Sequence, residues 1–403
     1  MNELRIQLWS YNYAPEPTGI GPVSKSLAEG LRDLGHDVHV VAAHPHYPEP
    51  RWGKRLTPYR EVRNGVPVLR LPLWIGRSSA AQRYRQELSF MAAQFAALPA
   101  LGAPDIIISA SPSFPALLPA ILNVRARRVP WLLWLHDLLP DGATSSGLVD
   151  NASPIIKLAR LLERASYHWA DQIVVLSSAF TRNLVAKNVP EGKIRLIFDP
   201  ATRTPRVKNG SFRRSAAPLR VLSMGNIGYS QGLAPLVSSF ERALDRAALD
   251  VELRITGNGL AAADVRKEIR SDRVKMLGVV DDDDLEDELR SADVALVSQN
   301  HHGAEFNIPS KIMNFMMYGL PVLAAVNPDS EVARIVEKSG GGWVVDSGAP
   351  DTFPAKLVDL AACRDDIAHR GGLAQQYAAR HFSQEGFAAQ FDELIREMVA
   401  ACR

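Results

Sequence analysis

At 403 residues the chain is longer than one hydrophobic core ordinarily serves, so two domains are expected. Hydrophobic residues at 46% and charged residues at 22% exclude wholesale disorder. The 46 Lys and Arg nearly balance the 44 Asp and Glu, and a formal net charge of +2 gives no reason to expect nucleic acid as a partner.

The N-terminal Met1-Asn2-Glu3-Leu4-Arg5 runs directly into a strand-like segment and lacks the charged head and apolar core of a signal peptide. No run of about 18 uninterrupted apolar residues occurs, and the two cysteines, Cys363 and Cys402, suggest no disulfide framework. The expectation is a cytoplasmic protein, soluble or peripheral on the cytoplasmic face of the membrane.

In chain order, apolar runs at 4–10, 38–42, 68–71, 105–109, 131–135, 172–176 and 193–197 predict strands. Helical patterns at 22–34, 81–98, 115–124, 154–170 and 179–187 lie between most of them. Continuous apolar strands separated by helices imply βαβ units and a parallel sheet buried on both faces. Residues 199–218, rich in Pro, Arg, Ser, Lys and Asn, read as an interdomain linker. The alternation then resumes, with strands at 219–224, 251–256, 274–276, 294–297, 321–324 and 342–345. Helices are expected at 233–247, 261–270, 283–291, 309–317, 330–337 and 351–362, and two more, 365–381 and 384–401, close the chain. Two doubly wound domains of this kind create a cleft at the carboxyl ends of their strands.

Three loops there carry candidate chemistry. Residues 11–21 follow the first strand, with Gly19 and Gly21 just before a helix expected near Pro22, where free N–H groups favour an anion. The spacing is not the dinucleotide fingerprint, and a plain strand-to-helix turn also accounts for the glycines. Gly225-Asn226-Ile227-Gly228-Tyr229-Ser230-Gln231-Gly232 repeats the device in the second half. Pro309-Ser310-Lys311 is the third: Pro309 suits a first helical turn, so a hydroxyl, a cation and a helix dipole converge as a pyrophosphate requires. Asn314, one turn on, is placed to meet ribose hydroxyls, and Gly319 reads as the C-cap. An ordinary capped helix is the plainer alternative.

At these residues the chain resembles the retaining glycosyltransferases of family 4, and within them the fucosyl- and fucosaminyl-transferases of colanic-acid and O-antigen assembly. The resemblance spans essentially the whole chain and rests on Tyr13-Ala14-Pro15-Glu16-Pro17-Thr18-Gly19-Ile20-Gly21, His46-Tyr47-Pro48, Gly225-Asn226-Ile227-Gly228 with Gln231-Gly232, and Pro309-Ser310-Lys311 with Asn314. It implies a GT-B fold, two Rossmann-like doubly wound domains facing a cleft. Residues 1–198 would bind acceptor, 199–218 link, 219–380 bind nucleotide sugar, and 381–403 form a helix crossing back to the first domain.

The resemblance further implies that His136, Asp137 and Glu305 serve catalysis, His136 at the donor sugar and Asp137 at the acceptor or the base network. Gly19, Gly21, Gly225, Asn226, Gln231, Ser310 and Lys311 would hold the donor diphosphate, and Asn314 and Gly257 the ribose and nucleoside. The chain departs from the broader family in three places. Asn314 stands where the second of two glutamates is usual, the position matching the first is Phe306 with Glu305 beside it, and Asn226 and Gln231 replace an Arg and a Lys. No cofactor is expected. His44, His46, His301 and His302 lack Cys or carboxylate partners at ligand spacing, so no metal is expected either. Asp281–Asp284 reads as a solvated helix start.

In the resembling branch the acceptor is a polyprenyl-diphosphate-linked glycan, which gives residues 74–98 a possible role at the inner membrane. Arg77, Arg83 and Arg85 precede Leu88, Phe90, Met91, Phe95 and Leu98, a mixture suited to a bilayer interface; an amphipathic helix packed on the sheet fits equally. The expected function is sugar transfer from a UDP- or GDP-sugar in cell-surface polysaccharide synthesis. A non-hydrolysing nucleotide-sugar epimerase and a non-catalytic sugar-nucleotide-binding protein are the alternatives.

Overall fold

The computed structural model describes residues 3–17, 20–47, 52–76, 80–111, 115–137, 154–205, 218–245, 250–301 and 308–402. They form two compact units, Met1–Asp199 with Gln384–Arg403, and Pro200–Ser383.

The first unit runs β1 (Arg5–Ser10), α1 (Ile20–Asp33), β2 (Asp37–Ala43), β3 (Tyr59–Arg63), β4 (Val66–Leu71), α2 (Ala80–Ala97), β5 (Ile106–Ser111), α3 (Leu117–Arg127), β6 (Trp131–Leu135), α4 (Pro154–Trp169), β7 (Gln172–Val175), α5 (Ser178–Ala186) and β8 (Ile194–Leu196). The second runs β9 (Leu219–Met224), α6 (Leu233–Leu244), β10 (Val251–Thr256), α7 (Ala262–Glu268), β11 (Val274–Gly278), α8 (Asp282–Ser291), β12 (Val294–Ser298), α9 (Lys311–Met317), β13 (Val322–Val326), α10 (Glu331–Ser339), β14 (Gly342–Asp346), α11 (Thr352–Ala362) and α12 (Arg364–His381). The last helix, α13 (Gln384–Cys402), belongs to the first unit.

Each unit is built on one sheet. The strand order is β3-β4-β2-β1-β5-β6-β7-β8 in the first and β11-β10-β9-β12-β13-β14 in the second. Ile-Ile-Ile-Ser-Ala-Ser of β5 and Trp-Leu-Leu-Trp-Leu of β6 are buried at every position, which is why neither strand carries a charged residue. All pairings are parallel except β3 with β4. The sequence expectation omitted β3, whose Tyr59-Arg60-Glu61-Val62-Arg63 alternates half-buried with exposed residues and carries three charges. It is an edge strand that returns through Asn64-Gly65, both at positive φ (46° and 79°), the conformation a tight hairpin turn demands.

In the first unit, α13 closes one face of the sheet. Phe387, Phe391 and Ile395 are fully buried against Leu27 and Leu31 of α1 and the Trp134 ring, with the Phe391 and Trp134 centroids 5.2 Å apart. Helices α1 and α13 approach so closely at Gly30 that a Cβ there would lie 2.5 Å from Ala388 Cβ. His36 adds a polar tie: Nδ1 accepts the Leu4 N–H at 3.2 Å, so the protonated Nε2 donates to Asp392 at 2.7 Å.

Because Phe391 is wholly enclosed, Phe391→Ala should lower stability by about 3–5 kcal/mol, whereas Leu88→Ala on the half-exposed surface of α2 should stay within about 0.5 kcal/mol. Scanning calorimetry compares the two. Similar small losses for both would mean that α13 contributes little to the core of the first unit.

Candidate active site

The second unit brings together most of the residues expected to hold a nucleotide. Its strand order reverses at β9, and ligands of open parallel sheets bind at the carboxyl ends beside such a reversal. There Gly225 N–H donates to Thr256 O at 3.0 Å and Gly257 N–H to Gly278 O at 2.6 Å, lacing the three loops after β9, β10 and β11 together. Gly257 has φ +117° and a Cβ on it would lie 1.9 Å from Gly225 O, so no other residue fits. Loop 225–232 is buttressed from β12, where Asn300 N–H donates to Ser230 O at 2.8 Å.

These loops line a cavity of about 260 Å³ together with Ser310, Lys311 and Asn314. Lys311 is only 7% exposed, and its Nζ donates to Gln231 Oε1 at 3.1 Å. Among the described residues this carboxamide is its one polar partner. Burial pushes the ammonium down to about 8. A buried cation facing a neutral amide is unstable on its own terms, and a bound anion would relieve it.

Two local expectations are corrected here. Pro309 is not in the first turn: α9 begins at Lys311, with Ser310 exposed at the N-cap position and making no capping bond. At seven residues the helix contributes little dipole, and the weight falls on the Lys311 charge. Asn314 lines the cavity but is turned onto the chain at 202–203. Its Oδ1 accepts the N–H groups of Thr202 at 3.0 Å and Arg203 at 3.1 Å, and its Nδ2 donates to Thr202 Oγ1 at 3.2 Å. The segment leaving Asp199 is therefore anchored in the second unit rather than free. Residues 206–217 of the expected linker lie outside the described residues, as do Gly19, Glu305, Arg77 and His302. Asn226 is exposed beside the cavity loop, and Gln231 is half-buried.

In the first unit the loop after β1 is organised by Glu16, a carboxylate 2% exposed. Its Oε1 accepts from Asn12 Nδ2 (2.9 Å), His46 N–H (3.1 Å) and Tyr47 N–H (2.9 Å), and its Oε2 from Tyr13 N–H (3.2 Å). The two sequence markers around Glu16 and His46 are thus one unit, and within loop 11–21 the Tyr13 N–H faces Glu16. Gly21 is the second residue of α1 and packs against Glu16 O, a Cβ there lying 3.0 Å away. His46 Nδ1 lies 3.0 Å from His44 O and His44 Nε2 lies 2.6 Å from Gly53 O. No group of three or more metal-binding side chains occurs among the described residues.

His136 follows β6. Its Nδ1 lies 3.6 Å from Asp199 Oδ2, and its ring stands edge-on to Trp134 with centroids 4.4 Å apart. His136 Nε2, Asp199 Oδ1, Ser111 Oγ and Tyr13 Oη are buried without hydrogen-bond partners, at or just beyond the carboxyl ends of the strands of this unit. Sequence reasoning missed Asp199, since nothing local marks an acid that meets a histidine 63 positions earlier. Asp137 is exposed, yet neighbouring protein desolvates it enough to raise its carboxyl.

Burial pushes the His136 imidazole down to about 3 and the Asp199 carboxyl up to about 7, so between those limits the folded pair holds one proton. The unfolded pair, with ordinary values of 6.5 and 3.8, also holds one proton between them, on the histidine. The depressed histidine loses stability as pH falls below 6.5, and the raised aspartate gains it as pH falls below 7, so the two slopes cancel. Asp199→Asn removes the gain. The variant should lose about 1.4 kcal/mol relative to the parent for each pH unit lowered from about 6.5 towards 4, read from unfolding midpoints at pH 5, 6 and 7. A pH-independent difference would mean that Asp199 ionises normally in the folded chain.

Residues 18–198 match the glycosyl transferase 4-like domain, and residues 218–363 match the glycosyl transferases group 1 domain. The chain is 25% identical over 414 aligned residues to the putative colanic acid biosynthesis glycosyl transferase WcaI of Escherichia coli (strain K12), covering 98% of this chain and 100% of that one. In fold it is similar to sucrose-phosphate synthase of Thermosynechococcus elongatus (TM-score 0.68, 18% identity, 99% and 100% of the two chains covered). It is likewise similar to HepE of Anabaena in complex with UDP (TM-score 0.66, 15% identity, 98% and 100% covered). With glycosyltransferase domains matched along both of its Rossmann-like units, the chain belongs to the family 4 glycosyltransferases of GT-B fold.

Proposed function

We propose that the protein moves a sugar from a UDP- or GDP-sugar to a lipid-linked or glycan acceptor in cell-surface polysaccharide biosynthesis, with retention at the anomeric carbon. The observation that carries the donor half is the buried Lys311 ammonium, paired with the neutral Gln231 at one wall of a cavity of about 260 Å³. The UDP bound to HepE supports a nucleoside diphosphate, and the likeness to WcaI, named for colanic acid biosynthesis, supports a surface polysaccharide.

In this reading Lys311, Ser310, Gln231, Gly225 and Asn226 receive the diphosphate, and Gly257 borders the nucleoside. His136 contacts the donor sugar and Asp137 the acceptor, with Glu305 as the remaining acid. No protein nucleophile is needed. The departing diphosphate takes the acceptor proton, Lys311 stabilises the charge that develops on it, and the rate comes from positioning and this electrostatic term without a metal.

Lys311→Ala should weaken UDP or GDP binding about 10- to 100-fold, the scale of a charge-assisted hydrogen bond, and leave uridine or guanosine nearly unchanged. Because the free ammonium titrates at about 8, wild-type affinity for the diphosphate should fall as pH rises through that value, and the variant should lack the fall. Calorimetric titration from pH 7 to 9 measures both. Equal losses for nucleoside and diphosphate would move the phosphates elsewhere, and product formed from a nucleotide-sugar panel without acceptor would point to isomerisation rather than transfer.

For the acceptor we propose a polyprenyl-diphosphate-linked glycan reached at the inner membrane through residues 74–98. Trp74 is 47% and Leu88 51% exposed, Arg83 and Arg85 are exposed beside them, and the Arg85 guanidinium lies 3.8 Å over the Trp74 ring, while Phe90 packs inward. No helix among the described residues is long and apolar enough to cross a membrane. Vesicles with anionic lipid should retain the protein in flotation, and Arg83→Glu with Arg85→Glu should release most of it at physiological salt. Equal retention of parent and variant would remove this surface from the proposal.

A further inference from the structure

We infer that Arg203 is the second cation of the nucleoside-diphosphate site, held at the cavity by the carboxamide of Asn314. The inference rests on the donor reading of that cavity. It begins from charge: a nucleoside diphosphate brings at least two negative charges, loop 225–232 contains no cation, and Lys311 supplies one. Arg203 lines the same cavity as Gly225, Gly257, Ser310, Lys311 and Asn314.

Its backbone position is fixed independently of any ligand. Asn314, 6% exposed, accepts the N–H groups of both Thr202 and Arg203. These bonds from one helix residue secure the stretch that carries Arg203, so less backbone freedom remains to be lost when its guanidinium meets a ligand.

The guanidinium is also free to change partner at small cost. It now donates to Asp282 Oδ1 at 2.6 Å, with side-chain exposures of 35% for Arg203 and 72% for Asp282. Ion pairs this exposed are weak, whereas a guanidinium fork on phosphate oxygens makes paired charge-assisted bonds in a less solvated place. Asp282 would not be stranded by the exchange: it lies in the first turn of α8, where the helix terminus favours an acid. The same arrangement explains why an amide at position 314 is kept from the ligand, since its oxygen is committed to placing a cation there.

Calorimetric titration of the full chain with UDP, GDP, ADP and dTDP, and with the parent nucleoside of whichever binds, tests the inference on Arg203→Gln, Asp282→Asn and Lys311→Ala, with melting curves as the folding control. The expected result is a loss of about tenfold or more in diphosphate affinity for Arg203→Gln, an unchanged nucleoside affinity, partial recovery in Arg203→Lys, and equal or tighter diphosphate binding in Asp282→Asn. A change of less than twofold for the diphosphate, or an equal loss for the nucleoside, overturns the inference. Failure of the two readings is distinguishable. If Lys311→Ala weakens the diphosphate and Arg203→Gln does not, Arg203 alone is excluded; if neither variant does, or no diphosphate binds the parent, the cavity is not a donor site and the inference falls with it.

Discussion

A buried positive charge that the described protein does not neutralise is the constraint on which the second unit turns. Lys311 is enclosed at the start of a two-turn helix, and its ammonium faces only a carboxamide. A chain selected for stability alone would place a carboxylate or an apolar residue there, because an unpaired buried cation opposes folding. We propose that the missing negative charge arrives with the nucleotide donor. The depressed ammonium, titrating at about 8, records the same imbalance: the free site holds its proton less firmly than an occupied one would.

The glycine loops take a supporting part in that arrangement. Gly257 is glycine because a Cβ on it would collide with the Gly225 carbonyl of the neighbouring loop, and Gly225 because its φ of +102° is one that L side chains rarely adopt. Their contribution is a rigid floor at the carboxyl edge of the sheet, against which the cation is presented. In the first unit the corresponding loop is stiffened differently, by the enclosed Glu16 carboxylate gathering N–H groups from two segments. Both devices use short-range geometry to hold polar atoms where a flexible loop would lose them, which is the preorganisation that electrostatic catalysis requires.

The sheets were legible because their pattern is strong: β6 and β12 are apolar at nearly every position, and only burial on both faces explains such runs. The edge strand β3 was not, since its alternation is dominated by Arg and Glu, although Asn64-Gly65 offered a hairpin signal. Among site residues, Lys311 was legible from its local company, while the lack of a counter-ion for it among the described residues was not, because that depends on what packs around it. Asp199 and Arg203 were hidden for a related reason. They sit in a stretch whose Pro and Arg content reads as a linker, and their meaning comes from partners far away in sequence, His136 and Asn314.

That stretch carries the last consequence of the architecture. Within five residues the chain passes from Asp199, whose carboxyl lies 3.6 Å from His136 in the first unit, to Arg203, which Asn314 holds in the second. Each unit grips its own end of the crossing through a buried polar group. A crossing built only to join two bodies would favour small, solvated residues and tolerate change. This one holds a desolvated acid and an anchored cation, each beside a group we propose for the reaction, so substitutions in it should be read first as changes to the sites at its ends.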